Sequence, residues 1–359
     1  MKEKSIIMKK YEIISRIGEG GFGFIYKARE IGTQDIVTIK QIKKRVEPKI
    51  ISQYTHTEIS LLRELKGSAN IIELTDYQAN YSNNFAYIVY KYHEYDISDL
   101  IHQETPFSKQ QIKCYFTQMI SALISIHSKG YIHHDVKPRN FLVSVDNVIK
   151  LIDFGLSKKQ EINIQNKNGN KSINIVGTLK YIAPEILLGE TCYNNEIDVW
   201  SLGCTFYEIL TSESLFSNCR SEEEIADHVI QIFDFPDENE WPEFYLLPNK
   251  DIFLKCTRKT TITADEFFES KIPLEYKPFK KLLLSMLQLN PKNRISLSDA
   301  LNDPILSDSM LPEKLPFLFF NETNYQNDES NYFPVSKKEN KKKLYDDLRP
   351  KKVIPALNI

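Results

Sequence analysis

The spacing of apolar and polar positions changes near residue 95, which divides the chain into a strand-like part and a helical part. Tyr11–Ile17 alternates, and residues 24–43 (FIYKARE, IGTQD, IVTIKQIK) predict two strands around a turn containing Gly32. Over residues 48–66, Ile50, Ile51, Tyr54, Ile59, Leu62 and Leu65 fall near helical spacing around Glu58. Residues 69–92 return to β character, in IIELTDY (71–77) and FAYIVYKY (85–92). The first ninety residues thus predict a small sheet with one helix. Beyond them, Ser108 and Gln111 form an S-x-x-Q capping box. Ile112, Tyr115, Phe116, Met119, Ile120, Leu123 and Ile126 then make one apolar face that ends before Lys129-Gly130. FLVS-VDN-VIKLID (141–153) predicts a short hairpin, and Ile197–Leu210, apolar nearly all round, predicts a helix buried in a large core. Residues 307–359 turn Asn-, Lys- and Pro-rich and predict a polar, extended tail. No internal repeat is visible.

At 359 residues the chain is long enough for about two domains or one bilobal one. Its 42% hydrophobic and 26% charged content allows a substantial core. A formal net charge of −2 supplies no global polycation, so direct nucleic-acid binding is not expected. The start, MKEKSIIMKK, has no apolar stretch of signal-peptide length. The greasiest segments, Leu282–Leu289 and Leu315–Phe320, fall well short of the ~20 residues a membrane span needs. Five widely spaced cysteines (Cys114, Cys192, Cys204, Cys219, Cys256) contain no C-x-x-C. They read as small core residues in a reducing compartment, with nucleus, cytoplasm or both expected as the location.

Glycine is scarce, yet four of the twelve (Gly18, Gly20, Gly21, Gly23) fall within six residues. The spacing Gly18-x-Gly20-x-x-Gly23 also occurs in dinucleotide folds, where the third glycine opens a helix. Here it opens strand-like Phe24-Ile25-Tyr26-Lys27-Ala28. A glycine-rich turn between strands can bring backbone N–H groups close to phosphates, and a plain tight hairpin fits the same residues. Lys40 projects from the apolar run Val37-Thr38-Ile39. A buried ammonium there needs a partner, for which Glu58 is a candidate; a solvated strand-end lysine is the alternative.

The strongest signal is His133-His134-Asp135-Val136-Lys137-Pro138-Arg139-Asn140, followed after the hairpin by Asp153-Phe154-Gly155. Phosphoryl transfer needs a carboxylate to orient the attacking hydroxyl, a cation for the γ-phosphate and two oxygen ligands for Mg²⁺. Asp135, Lys137, Asn140 and Asp153 supply that inventory. Adjacent His133 and His134 would point to opposite sides of an extended segment and make a poor metal pair.

In these motifs, over about residues 11–306, the chain resembles a eukaryotic protein kinase. The resemblance implies an α+β bilobal fold, with a β-rich N-lobe (about 11–92), a mainly helical C-lobe (about 95–306), a short extension at 1–10 and the tail at 307–359. It implies ATP and Mg²⁺ as cofactors and a protein as substrate. Ile17, Gly18, Glu19, Gly20, Gly21, Phe22, Gly23 and Ile25 would cover ATP, and Lys40 would bind its α/β-phosphates, held by Glu58. Tyr90 would guard the back of the pocket, Lys91-Tyr92-His93 would form the hinge, Leu142 would lie beneath adenine and Thr38 would put a hydroxyl over it. Asp135 would be the base, Lys137 would steady the γ-phosphate, and Asn140 and Asp153 would hold Mg²⁺. Ala183-Pro184-Glu185 resembles the end of an activation segment, with Arg294 the partner of Glu185, and Asp198 resembles the aspartate that braces the catalytic loop. Lys137 and the Gly177-Thr178 pair are similar to serine/threonine kinases.

Within the family, EISLLREL (58–65), QIKCYFTQMISAL (111–123), APEILLGETCYNNEIDVWSLGC (183–204) and FDFPDENEWPEF (233–244) resemble the cyclin-dependent group. Asn140-Phe141-Leu142 and LKGSANI (65–71) are similar to replication-initiating kinases of the cell division control protein 7 type. A catalytically dead pseudokinase scaffold and a small-molecule kinase are the readings from other classes. Several regulatory positions depart from the cyclin-dependent pattern. Gly21 and Phe22 replace an inhibitory threonine-tyrosine pair, and Thr57, His134 and Lys158 replace three phosphate-binding arginines. The phospho-acceptor position falls near Ser172-Ile173, so activation is expected not to need phosphate there. SQYTHTE (52–58) occupies the cyclin-docking helix, leaving a cyclin or another activating subunit as a possible partner. Lys180 and Ile182 replace the tryptophan and arginine that accompany proline-directed specificity. The basic run at 336–343 reads as a solvated tail before a nuclear-import signal.

Overall fold

The computed structural model describes residues 7–19, 23–42, 48–80, 85–103, 106–160, 177–309 and 312. Gly20, Gly21, Phe22, Ser172, Ile173 and nearly all of the tail lie outside them. After a short helix α1 (Ile7–Lys10) come strands β1 (Tyr11–Glu19), β2 (Gly23–Glu30) and β3 (Ile36–Ile42), helix α2 (Pro48–Glu64), and strands β4 (Leu74–Asn80) and β5 (Phe85–Lys91). The strands form one antiparallel sheet in the order β1-β2-β3-β5-β4. Strand alternation gives this sheet two different faces. Val37, Ile39, Tyr87 and Val89 pack with Tyr11 and Ala28 on one side. Ile88 and Tyr90 turn the other way and join Ile59 and Leu62 of α2, and Leu65 just after it, in the main core.

The second lobe begins with β6 (Tyr95–Asp96), α3 (Ile97–Ile101) and α4 (Lys109–His127). In the α4 cap, the Ser108 side chain accepts from the Gln111 N–H while the Gln111 side chain accepts from the Ser108 N–H. Short strands β7 (Tyr131–Ile132), β8 (Phe141–Val143), β9 (Ile149–Leu151) and β10 (Lys158–Lys159) follow. They make a β6-β8-β9 sheet, which contains the expected hairpin, and a β7-β10 pair. Helices α5 (Pro184–Leu187), α6 (Glu196–Thr211), α7 (Glu222–Phe233), α8 (Asp251–Leu254), α9 (Ala264–Lys271), α10 (Lys280–Met286) and α11 (Leu297–Leu301) complete the lobe.

Helix α6 is buried from Ile197 to Leu210 and forms the axis of this lobe. Phe206 stacks on Phe116 of α4, with ring centroids 3.7 Å apart, and meets Phe279 edge-on. A Cβ at Gly203 would come within 2.8 Å of Leu287, so glycine lets the end of α10 close onto α6. After a single 3-10 turn at Pro304–Leu306, Asp308 pairs with Lys113 and the Pro312 carbonyl accepts from Asn147, which directs the chain's exit along α4.

Two expectations need correction. Cys114, Cys204 and Cys219 are buried as expected, but Cys192 is exposed in the polar turn before α6 and Cys256 is half-buried. The strand character of IIELTDY starts only at Leu74, because Ile71 and Ile72 are drawn away to Leu151 and the second lobe. Among the described residues no helix is long and apolar enough to cross a membrane.

Candidate active site

The sheet register assembles one wall of the site. Gly18, Ile25, Lys40 and Ile88 stand opposite one another in a single row across β1, β2, β3 and β5. The next row on the same face holds Lys27, Thr38 and Tyr90. Ile17, Gly18 and Ile25 are half-buried, and Glu19 is exposed and paired with Arg16. Gly23 is required where β2 meets β3, since a Cβ would lie 2.2 Å from the Gln41 carbonyl oxygen.

Lys40 is not a solvated strand-end lysine. Its Nζ lies 2.9 Å from Glu58 Oε2, 3.1 Å from Glu58 Oε1 and 2.7 Å from Asp153 Oδ1. Burial disfavours the Lys40 charge, but the Asp153 and Glu58 carboxylates outweigh it and hold the ammonium above its ordinary range. Burial raises Glu58 against the pull of Lys40. Asp153 is only half-buried, and Lys40 holds its carboxyl below the usual range. Asp153 adopts φ 66°, a left-handed backbone that asparagine and aspartate tolerate better than most residues. Gly155 follows under the Tyr54 ring, 3.2 Å from where a Cβ would sit.

The second cluster forms around Asp135. Lys137 Nζ donates to Asp135 Oδ2 at 2.7 Å, and the Asn140 amide donates to the Asp135 carbonyl at 2.6 Å and to Oδ2 at 3.1 Å. Thr178, forty-three positions further on, donates its hydroxyl to Asp135 Oδ1 at 2.7 Å and accepts from Lys137 at 2.7 Å. Gly177 sits at φ +117°, where a Cβ would be 2.6 Å from the His134 carbonyl oxygen. The preceding glycine therefore admits Thr178 to the cluster.

Asp198, reaching up from the first turn of α6, braces this loop from below. Its Oδ2 accepts from the His133 N–H at 2.7 Å and its Oδ1 from the His134 N–H at 3.0 Å, while His127 Nε2 lies 2.8 Å from Oδ2. Burial opposes the Asp198 charge, and the His127 contact more than restores it. The two N–H groups that converge on one carboxylate require the bent backbone at His134, where φ is 69°. Glu185 and Arg294 form the expected buried pair, two-pronged at 2.6 and 2.7 Å.

The remaining predicted positions line the seam between the lobes. Tyr92 and His93 are half-buried after β5, and the Tyr92 ring lies under the Lys27 ammonium at 4.3 Å. Leu142 stands opposite Asp96 in the β6–β8 pair. Burial beside Asp99 raises the Asp96 carboxyl, a polar contribution to this seam that the sequence reading missed. Thr178 as a bridge to Asp135 and Tyr90 as a donor to Glu58 (2.5 Å) were also missed. The first had a signal in the Gly177-Thr178 pair. The second had none, because tyrosine in an alternating strand reads as core.

Of the three positions that the resemblance gives to phosphate-binding arginines, Thr57 is half-buried and Lys158 is exposed on β10. Burial lowers the His134 imidazole to about 4, and its Nε2 has no hydrogen-bond partner. Among the described residues no group of three or more His, Cys, Asp or Glu could hold a metal by itself.

A family model described as the protein kinase domain matches residues 11–306. The chain is 30% identical over 341 residues to serine/threonine-protein kinase ppk23 of Schizosaccharomyces pombe, spanning 93% of this chain and 82% of that protein. It is 33% identical over 312 residues to a probable cyclin-dependent serine/threonine-protein kinase of Dictyostelium discoideum, spanning 86% of this chain and 46% of that one. Against cyclin-dependent kinase 10 of Rattus norvegicus it is 31% identical over 306 residues, 85% and 82% of the two chains.

Proposed function

This chain belongs to the protein kinase family, and we propose that Asp135 is the base through which it phosphorylates its protein substrates. It is a serine/threonine protein kinase with cyclin-dependent-kinase-like relatives; the replication-initiating likeness is not shown. The observation that carries the proposal is the convergence of Lys40, Glu58 and Asp153 on one side with Asp135, Lys137, Asn140 and Thr178 on the other. The same convergence disfavours a dead scaffold, which would have no need of all these groups.

In the proposed step, the Asp135 carboxylate accepts the proton of a serine or threonine hydroxyl as its oxygen attacks the γ-phosphorus of ATP. The bond to the β-phosphate oxygen breaks and ADP leaves. Thr178, Lys137 and Asn140 fix both Asp135 oxygens, so the carboxylate is oriented before substrate arrives. Lys137 then serves the γ-phosphate and Lys40, fixed by Glu58, the α/β-phosphates. Gly18, Gly23, Ile17, Glu19 and Ile25 cover the nucleotide, and Tyr92, His93 and Leu142 line the adenine side.

The donor set suits Mg²⁺. Asn140 commits its amide nitrogen to Asp135, which leaves its carbonyl oxygen for a cation, and Asp153 is held ionised beside Lys40. One carboxylate and one amide oxygen match a hard cation that takes its other ligands from phosphates and water. When bound, Mg²⁺ neutralises charge on the phosphate oxygens.

The kinship with cyclin-dependent kinases supports a role in cell-cycle or transcription control, with a cyclin or another activating subunit bearing on α2. The test is γ-phosphate transfer to a basic protein and a peptide array, by wild type and by Asp135→Asn. Serine or threonine phosphorylation that falls at least a thousandfold in the variant is the expected result. Equal activity in the two proteins removes Asp135 from the chemistry.

A further inference from the structure

The buried ion pair of the N-lobe has a third member. Tyr90 Oη donates to Glu58 Oε1 at 2.5 Å, while Lys40 reaches both oxygens of the same carboxylate. All three groups are nearly removed from solvent, with Glu58 2%, Tyr90 7% and Lys40 9% exposed. At this depth the Tyr90 hydroxyl is satisfied by the Glu58 carboxylate. Its place opposite Thr38 and Leu74 puts the ring between the sheet and α2.

Most of what holds α2 grips it at other points. Arg63, at its end, bonds Tyr77 Oη at 2.7 Å, and Ile59, Leu61 and Leu62 anchor it in the core. Those contacts fix the helix as a body. They do not fix where the Glu58 carboxylate points. Lys40 cannot fix it alone either, because Asp153, 2.7 Å away, competes for the same ammonium. The Tyr90 hydroxyl is a donor held by a strand and shared with nothing else named in the network.

Resting on the kinase reading above, we propose that Tyr90 is a positioning residue for phosphoryl transfer, its hydroxyl holding the Glu58 carboxylate where it fixes Lys40. The hydroxyl acts through Glu58 and Lys40, not on the substrate. A charged acceptor deep in the protein loses heavily when one of its donors is removed. The groups facing Glu58 are Lys40 from β3, Tyr90 from β5 and Asp153 after β9; Tyr54, one turn earlier on α2, lies with Glu58 beside Gly155. Burial raises the Glu58 carboxyl, and the Tyr90 bond works against that rise. Without the hydroxyl the carboxyl therefore takes up a proton at higher pH, which weakens its hold on Lys40.

The test uses the full chain with Tyr90→Phe, which keeps the ring, and Tyr87→Phe on the opposite face of the same strand as control. Tyr90→Phe is expected to lower kcat about tenfold, with the KM for ATP changed less than about threefold. The acid limb of its kcat–pH profile is expected to move to higher pH. In the protein without nucleotide, amide exchange over residues 53–64 of α2 is expected to quicken about tenfold, with β5 unchanged. Tyr87→Phe should match wild type in each measurement. A kcat within twofold of wild type with the same acid limb overturns the proposal, as does a kcat loss that comes with a general fall in Tm and no selective change in α2. Wild type that transfers no phosphate defeats the kinase reading instead, and the exchange comparison still decides whether the hydroxyl fixes the helix.

Discussion

His134 occupies the place where the resemblance leads one to expect an arginine, and its chemistry is that of a neutral ring. It is 7% exposed, its ring meets Tyr193 edge-on at 5.4 Å, and burial holds it near 4 against an ordinary value of 6.5. Asp198 and Asp135 favour its charge, Lys158 and His133 oppose it, and desolvation outweighs them all. Between those two pH values the unfolded chain binds a proton that the folded one does not. Stability is then full above about pH 6.5 and falls as the pH drops toward 4, by up to about 3 kcal/mol from this group. Asparagine tolerates the left-handed backbone at this position and does not titrate. Denaturant unfolding of His134→Asn at stepped pH is expected to show a shallower acid loss than wild type. An unchanged slope would assign that loss to other groups.

Glu185 of α5 pairs across 109 positions in sequence with Arg294, which lies in the turn before α11 and reaches α6 through the Glu196 carbonyl. The Arg294 side chain is fully buried and also donates to the carbonyls of Gln288, Glu196 and Leu289. Removing one partner leaves a buried charge uncompensated, a loss of about 3–5 kcal/mol. Arg294→Met should lower the unfolding free energy by that amount in denaturant titrations. The double variant Glu185→Leu/Arg294→Met should recover only part of it, because three carbonyls still lack a donor. Elements were legible in the sequence where a local period made them so: the α4 cap and face, the 141–153 hairpin and the all-round apolar α6. Helix α7 passed without notice although Ile225, Ala226, Val229 and Ile230 fall at helical spacing, and α8 to α11 are segments too short to show a period. Lys40, Glu58, Asp135, Asn140 and Asp153 were legible because each is embedded in a motif. The bridge from Thr178 left only the Gly177-Thr178 pair as a trace and the Tyr90 hydroxyl left none, since their partners lie 43 and 32 positions away.

At the scale of the molecule, the site belongs to neither lobe. Lys40 and the glycine-bearing strands stand on the sheet side, while Asp135, Asn140 and Asp153 stand on the helical side. The two sides already touch through Lys40–Asp153, through Tyr54 over Gly155, and through the backbone bonds of Asn70 and Ile72 with Leu151. A nucleotide bound across both lobes should therefore stabilise the whole fold and not one half of it. At a hundredfold excess over Kd that linkage is about 2.7 kcal/mol, or a few degrees in Tm for a chain of this size. Because Asp153 is the carboxylate assigned to the cation, ATP with Mg²⁺ should raise the Tm of wild type more than ATP with EDTA. In Asp153→Asn the difference between those two conditions should vanish, whatever that variant's starting stability. Comparing the two conditions within one variant removes the effect of the substitution on Lys40. A full Mg²⁺-dependent increment in Asp153→Asn would place the cation on other oxygens and leave Asp153 as a partner of Lys40 alone.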